Sequence, residues 1–222
     1  MAGFSGSTLP PELRRLAQEF GLGGIILFTR NIEAPLQVAE LSHDVQALAV
    51  DLPLWVSVDQ EGGRVARLRE PFTLWPAMHA VGRCGDAEVA SQFGAALARE
   101  LTAVGVSLDY APVLDVDTNL DNPVIGDRAL SDNAETAARM GIAIINALQA
   151  GGVAACGKHF PGHGDTSLDS HKELPVVEHC PDRLRNVELV PFRAAAAAGA
   201  AMLMTAHAVS YTHLTLPTKR IV

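Results

Sequence analysis

The chain has 222 residues, 48% of them hydrophobic, and a formal net charge of −8, so it can bury a substantial core as one large domain or two small ones. The acidic balance argues against nucleic-acid or anionic-membrane binding, which both require a basic footprint. Three widely spaced cysteines (Cys84, Cys156 and Cys180) argue against a disulfide scaffold and suit a reducing cytoplasm.

The N-terminal stretch MAGFSGSTLPPELRR lacks a basic region followed by an apolar run, so no signal peptide is expected. Met1–Phe4 reads as the remnant of a strand. Gly23–Phe28 (GGIILF) is a buried-strand candidate, followed by a predicted helix from Pro35 to Val50 with Leu36, Leu41, Val45 and Leu48 on one face. Leu54–Asp59 (LWVSVD) is the second strand. Asp86 is placed to cap a helix in which Val89, Phe93, Leu97, Leu101 and Val104 recur every three or four residues, and Gly105 stops it. Val106–Val116 is a third strand region. Asp132 and Glu135 have the spacing of a capping box before Met140, Ile144, Ile145 and Leu148. Val153–His159 is the fourth strand, a helical pair broken at Pro191 follows, and Ala200–His207 is the fifth. The weakly polar stretch from Met140 to Cys156 falls short of a membrane span.

Apolar strands alternating with amphipathic helices indicate parallel βαβ units. The doubly wound sheet and the (β/α)₈ barrel compete. No G-x-G-x-x-G follows a strand, which weakens a nucleotide-binding reading, and no cofactor is expected. The barrel predicts polar residues at strand C-termini. Asp59, Asp115, Lys158–His159 and His207 all meet that expectation. The fold expected is therefore an α/β (β/α)₈ TIM-barrel type. A complete barrel needs about 250 residues, so the chain is read as incomplete, short of the last two βα units. Residues 1–209 are assigned to the barrel domain. Residues 210–222 (YTHLTLPTKRIV and the serine boundary before them) carry no period that continues the architecture and are read as a non-native tail.

Residues 158–171, KHFPGHGDTSLDSH, concentrate a lysine, three histidines and two aspartates in a connection without an apolar period. Long connections of this kind are usually functional or disordered. His159, His163 and His171 do not have the spacing of a helix-borne zinc pair, and no metal is expected. Acid–base chemistry fits better. Asp169 and His171 are separated by one residue, so in an extended segment both side chains point the same way. A carboxylate beside an imidazole fixes its tautomer and raises its pKa, which suits a group that donates and then removes a proton.

The segment K-H-F-P-G-H-G-D-T-x-x-D-S-H resembles the signature of family 3 glycoside hydrolases, in particular the bacterial β-N-acetylglucosaminidases of cell-wall recycling. GGIILFTRN at 23–31, VDQEGGRVARL at 58–68, APVLDV at 111–116, NPVIGDRAL at 122–130 and MTAH at 204–207 support the resemblance in order. It implies a barrel-type domain that removes terminal β-linked N-acetylglucosamine from muropeptide fragments with retention, in the cytoplasm, as a monomer. It further implies His171 as general acid/base with Asp169 as its partner, and Asp59, Arg67, Arg128, Lys158 and His159 as sugar-binding residues. Glu61 is assigned to loop support, and Asp115 and Asp117 to structural roles. A retaining route also needs a carboxylate nucleophile. In the family it lies after the MTAH strand, and this sequence has no Asp or Glu after Glu188. The 222 residues alone are expected to be inactive. A β-glucosidase or other family 3 glycosidase, and a non-catalytic sugar-binding fragment, are the alternatives.

Overall fold

The computed structural model describes residues 1–49, 51–119, 121–166 and 179–206. In chain order its elements are α1 (Pro11–Phe20), β1 (Gly24–Leu27), α2 (Pro35–Gln46), β2 (Trp55–Val58), the short strands β3 (Gln60–Gly62) and β4 (Val65–Ala66), α3 (Met78–Arg83) and α4 (Ala87–Ala103). They continue with β5 (Leu108–Asp109), α5 (Ala134–Ala150), β6 (Ala154–Phe160), α6 (Pro181–Asn186), α7 (Leu189–Ala197) and β7 (Met202–Thr205).

The main sheet has the order β1-β2-β5-β6-β7, and all its pairings are parallel. The strands follow one another in space as they do in the chain, with helices in each crossover; only the antiparallel hairpin β3–β4 stands apart. A doubly wound sheet reverses its order at a switch point. No reversal occurs among the described strands, so the progression is that of a barrel, and the described sheet does not close. The architecture is the incomplete α/β barrel that the sequence led us to expect. Ala2 bridges Ile25 in parallel, which puts the Met1–Phe4 segment beside β1 where a preceding strand belongs. No described helix is long and apolar enough to cross a membrane.

The core explains the alternation. Ile25 and Leu27 of β1 and Val56 and Val58 of β2 are buried against Val38, Leu41 and Val45 of α2, Leu97 and Leu101 of α4, and Ile144, Ile145 and Leu148 of α5. Each such side chain contributes roughly 1.5–3 kcal/mol through burial. Helices α4 and α5 pack closely because position 94 is glycine. A Cβ there would lie 2.9 Å from the Ile144 carbonyl oxygen.

The element boundaries differ from expectation at particular places. α2 ends at Gln46 rather than Val50. The third strand pairs only at Leu108–Asp109, with one isolated bridge from Val113 to Lys158. Asp86 caps α4 by accepting from the Glu88 N–H at 2.9 Å, as expected. The cap of α5 is Asn133, whose Oδ1 accepts from the Thr136 N–H at 2.9 Å, and not the Asp132–Glu135 box. Pro191 lies inside the first turn of α7, where its missing N–H has no helical partner to lose; the break falls at Val187–Glu188. Helix α1 and the β3–β4 hairpin were not anticipated. His207 and the proposed tail lie outside the described residues.

Candidate active site

The C-terminal ends of β2, β5, β6 and β7 surround a cavity of about 450 Å³, lined by Asp59, Glu61, Arg67, Tyr110, Arg128, Lys158, His159 and His163 among others. Asp59 sits one residue past β2. The chain then turns sharply because the Gln60 N–H donates to Asp109 Oδ1 at 2.9 Å. Gln60 also holds the hairpin shut. Its Oε1 accepts from the Arg67 and Leu68 N–H groups at 2.8 and 3.0 Å, and its Nε2 donates to the Leu68 carbonyl at 2.9 Å. Gly62 and Gly63, both at positive φ (102° and 56°), make the reversal possible. This folding returns Arg67 to Asp59, with 3.7 Å between Nη2 and Oδ2.

Lys158 is 2% exposed, and its ammonium lies 2.7 Å from Asp59 Oδ1 and 2.6 Å from Glu61 Oε1. Glu61 in turn receives a bidentate pair from Arg128, Nε to Oε2 and Nη2 to Oε1, both at 2.8 Å. A buried cation or carboxylate is tolerated only when paired and hydrogen-bonded, and here each has a partner. Burial alone would raise the Glu61 carboxyl, but the Arg128 hydrogen bonds and the Lys158 charge outweigh it and hold the group below its ordinary value. For Lys158, burial would lower the ammonium, and Glu61 and Asp59 reverse that, so it stays protonated. Beneath them Asp109 is fully buried, and burial pushes its carboxyl well up; one of its oxygens has no hydrogen-bond partner.

His159 follows Lys158 on the same strand. Its Nδ1 lies 2.6 Å from Asp115 Oδ2, and its backbone N–H donates to Asp115 Oδ1 at 3.1 Å. The His163 N–H donates to the same oxygen at 2.8 Å. The His163 ring is engaged by Thr166 Oγ1 and is itself buried, which lowers its pKa. Asn122 grips the carbonyls of His163 and Gly164 at 2.8 and 3.0 Å. Gly164 is required by close approach: a Cβ there would fall 1.8 Å from the Val116 carbonyl oxygen.

Five of the sequence-predicted residues, Asp59, Arg67, Arg128, Lys158 and His159, are thus brought to one cavity. Asp169 and His171 lie outside the described residues. The described residues that flank them meet: Asp165 Oδ2 is 2.6 Å from His179 Nε2 and its Oδ1 is 3.2 Å from Arg183. Two further carboxylates touch the cavity residues. Glu61 pairs with both Lys158 and Arg128 and lines the cavity. Asp115 contacts His159 directly. Its place at the end of a strand-like APVLD segment was the available signal. Among the described residues no cluster of three metal-ligating side chains occurs.

An open run of parallel βα units with a charged cavity at the strand C-termini defines a barrel-type α/β protein with its site in the usual barrel position. The chain matches the glycosyl hydrolase family 3 N-terminal domain over residues 9–217 and belongs to that family. A β-hexosaminidase of Pseudomonas aeruginosa is 43% identical over 210 residues, covering 94% of this chain and 62% of that protein. Among solved structures, a family 3 β-N-acetylglucosaminidase from Paenibacillus is 46% identical with a TM-score of 0.93, covering 96% of this chain and 41% of that one. NagZ from Neisseria gonorrhoeae in complex with N-trifluoroacetyl-D-glucosamine is 40% identical with a TM-score of 0.89, covering 96% of this chain and 64% of that one. The chain spans less than two thirds of the length of these relatives.

Proposed function

We propose that this chain is the sugar-binding and proton-transfer portion of a retaining exo-β-N-acetylglucosaminidase. The observation that carries the reading is the buried Lys158 fixed between Asp59 and Glu61 at the cavity wall. Such a wall recognises vicinal hydroxyls. Asp59 accepts from them, while Lys158, Arg67 and Arg128 donate to hydroxyl and acetamido oxygens. The names of the relatives, β-hexosaminidase and β-N-acetylglucosaminidase, favour an acetamido sugar over glucose.

In this reading His171 protonates the glycosidic oxygen and later deprotonates water, and Asp169 orients its ring. The aspartate nucleophile lies outside the 222 residues. Terminal N-acetylglucosamine of muropeptide fragments is the substrate, and the protein works as a monomer in the cytoplasm, with neither metal nor cofactor. The 222-residue polypeptide then binds the sugar without turning it over, because the carboxylate that would trap the glycosyl group lies outside it.

The test compares a chromogenic β-N-acetylglucosaminide and its glucoside on this chain and on the same sequence extended to the length of its relatives. Turnover of the glucosaminide by the extended chain alone is expected. Rapid turnover by the 222 residues would overturn the missing-nucleophile reading, and preference for the glucoside would overturn the acetamido assignment.

A further inference from the structure

We propose that Asp115 is a positioning residue for sugar recognition: it holds the His159 proton on Nδ1 and so presents Nε2 to the cavity as an acceptor for a sugar hydroxyl. The inference rests on the sugar-binding reading above.

Asp115 is fully buried, and its two oxygens take three protein contacts: His159 Nδ1 at 2.6 Å, the His159 N–H at 3.1 Å and the His163 N–H at 2.8 Å. Burial alone would raise its carboxyl. The His159 side chain beside it, with the two backbone donors, outweighs that and holds it below its ordinary value. An ionised carboxylate can only accept, so Nδ1 must carry the proton. The ring cannot turn over without breaking the short contact, and its side chain remains 17% exposed at the cavity. Nε2 is therefore the nitrogen left for a ligand.

Such an atom adds an acceptor to a wall rich in donors. Lys158, Arg67 and Arg128 are donors only. Asp59 is an acceptor, but it is shared with Lys158 and Arg67, and Glu61 is saturated by Lys158 and Arg128. A sugar hydroxyl that must donate finds an acceptor at Nε2 of a His159 ring that carries its proton on Nδ1. The backbone contacts of Asp115 add direction to this, because they fix the imidazole to the strand end and to the turn at His163.

Asp115→Asn tests the idea. The asparagine oxygen can keep the two backbone donors, while its amide N–H₂ faces Nδ1 and drives the proton to Nε2. An Nε2 that carries a proton no longer accepts, and loss of tautomer control by such a change is costly. Histidine-labelled ¹⁵N NMR, with the His159 signals identified by their absence from His159→Gln, is expected to give an Nδ1–H tautomer in the wild type and Nε2–H in Asp115→Asn. Calorimetry is expected to give an N-acetylglucosamine affinity about tenfold to a hundredfold lower in Asp115→Asn. Adding Asp115→Asn to His159→Gln is expected to change that affinity by less than about twofold, since residues acting through one another do not add. An Nε2–H tautomer in the wild type, an unchanged tautomer in the variant, or additive losses would each refute the inference. If Asp115→Asn does not fold by circular dichroism, the wild-type tautomer alone decides. A wild type that shows the Nδ1–H form but binds no N-acetylglucosamine would instead count against the sugar-binding reading.

Discussion

The network around Lys158 and the network around Asp165 use the same kinds of groups, yet they differ in burial and in what they join. Lys158 and Glu61 are 2% and 1% exposed and link the ends of β2, β3 and β6 at the cavity wall. Asp165, His179 and Arg183 are 26%, 18% and 38% exposed and join the two chain segments that flank residues 167–178. Desolvated charges cannot be removed singly without leaving a partner stranded. Partly exposed pairs keep water as an alternative partner, and their contribution is screened. Ion pairing of one chemical kind therefore gives a preorganised binding wall in one place and a local tie in the other.

The sharpest way to break this contrast is Lys158→Met, which leaves Asp59 and Glu61 facing each other without their shared cation. Urea denaturation is expected to show a loss of about 3–5 kcal/mol, together with loss of N-acetylglucosamine binding by calorimetry. A loss below about 1 kcal/mol would mean the wall is solvated like the Asp165 network. A smaller effect is expected from acid. Glu61 has a folded pKa below its unfolded value, so its contribution is present above the ordinary carboxylate range and is lost as pH falls through the folded value. Unfolding free energy followed from pH 7 downward should fall below about pH 4.3, with a slope from Glu61 of at most about 1.4 kcal/mol per pH unit. Glu61→Gln should remove that component of the slope, and an unchanged profile would contradict the pairing. The smallest effect belongs to Asp165→Asn, which leaves Arg183 its pair with the buried Glu188 and should cost no more than about 1 kcal/mol, less at high salt. A cost equal to that of Lys158→Met would erase the distinction between the two networks.

Much of the fold was legible because its signals are local. The apolar runs at Gly24–Leu27 and Trp55–Val58 and the periodic faces of α4 and α5 need only neighbouring residues to be recognised. Helix α1 has the same kind of face, with Leu13 and Ala17 buried, but a short element behind Pro10 and Pro11 carries little periodic signal. The cap of α5 was missed by one residue because Asp132 and Asn133 are both capping types. The backbone at Asn133 (φ −104°, ψ 123°) decides which one reaches the free N–H. Asp59, Lys158 and His159 could be singled out as polar ends of apolar strands. Arg67 and Arg128 emerged only through the motifs around them, because neither sits on a strand of the main sheet.

The order of apolar and polar residues by itself determined that parallel strands would alternate with amphipathic helices and that charged groups would gather at the strand C-termini. Both follow from burial of one periodic face. Only the tertiary structure decided which charges meet. Glu61 reaches Lys158 and Arg128 because the Gln60 hydrogen bonds fold β3 and β4 back over the sheet, and Asp115 reaches His159 because β5 and β6 lie side by side. Residues separated by 44 to 97 positions in sequence come within hydrogen-bond distance in this way. The strength of those contacts depends on water being excluded around them, which is a property of the packed molecule and of no segment within it.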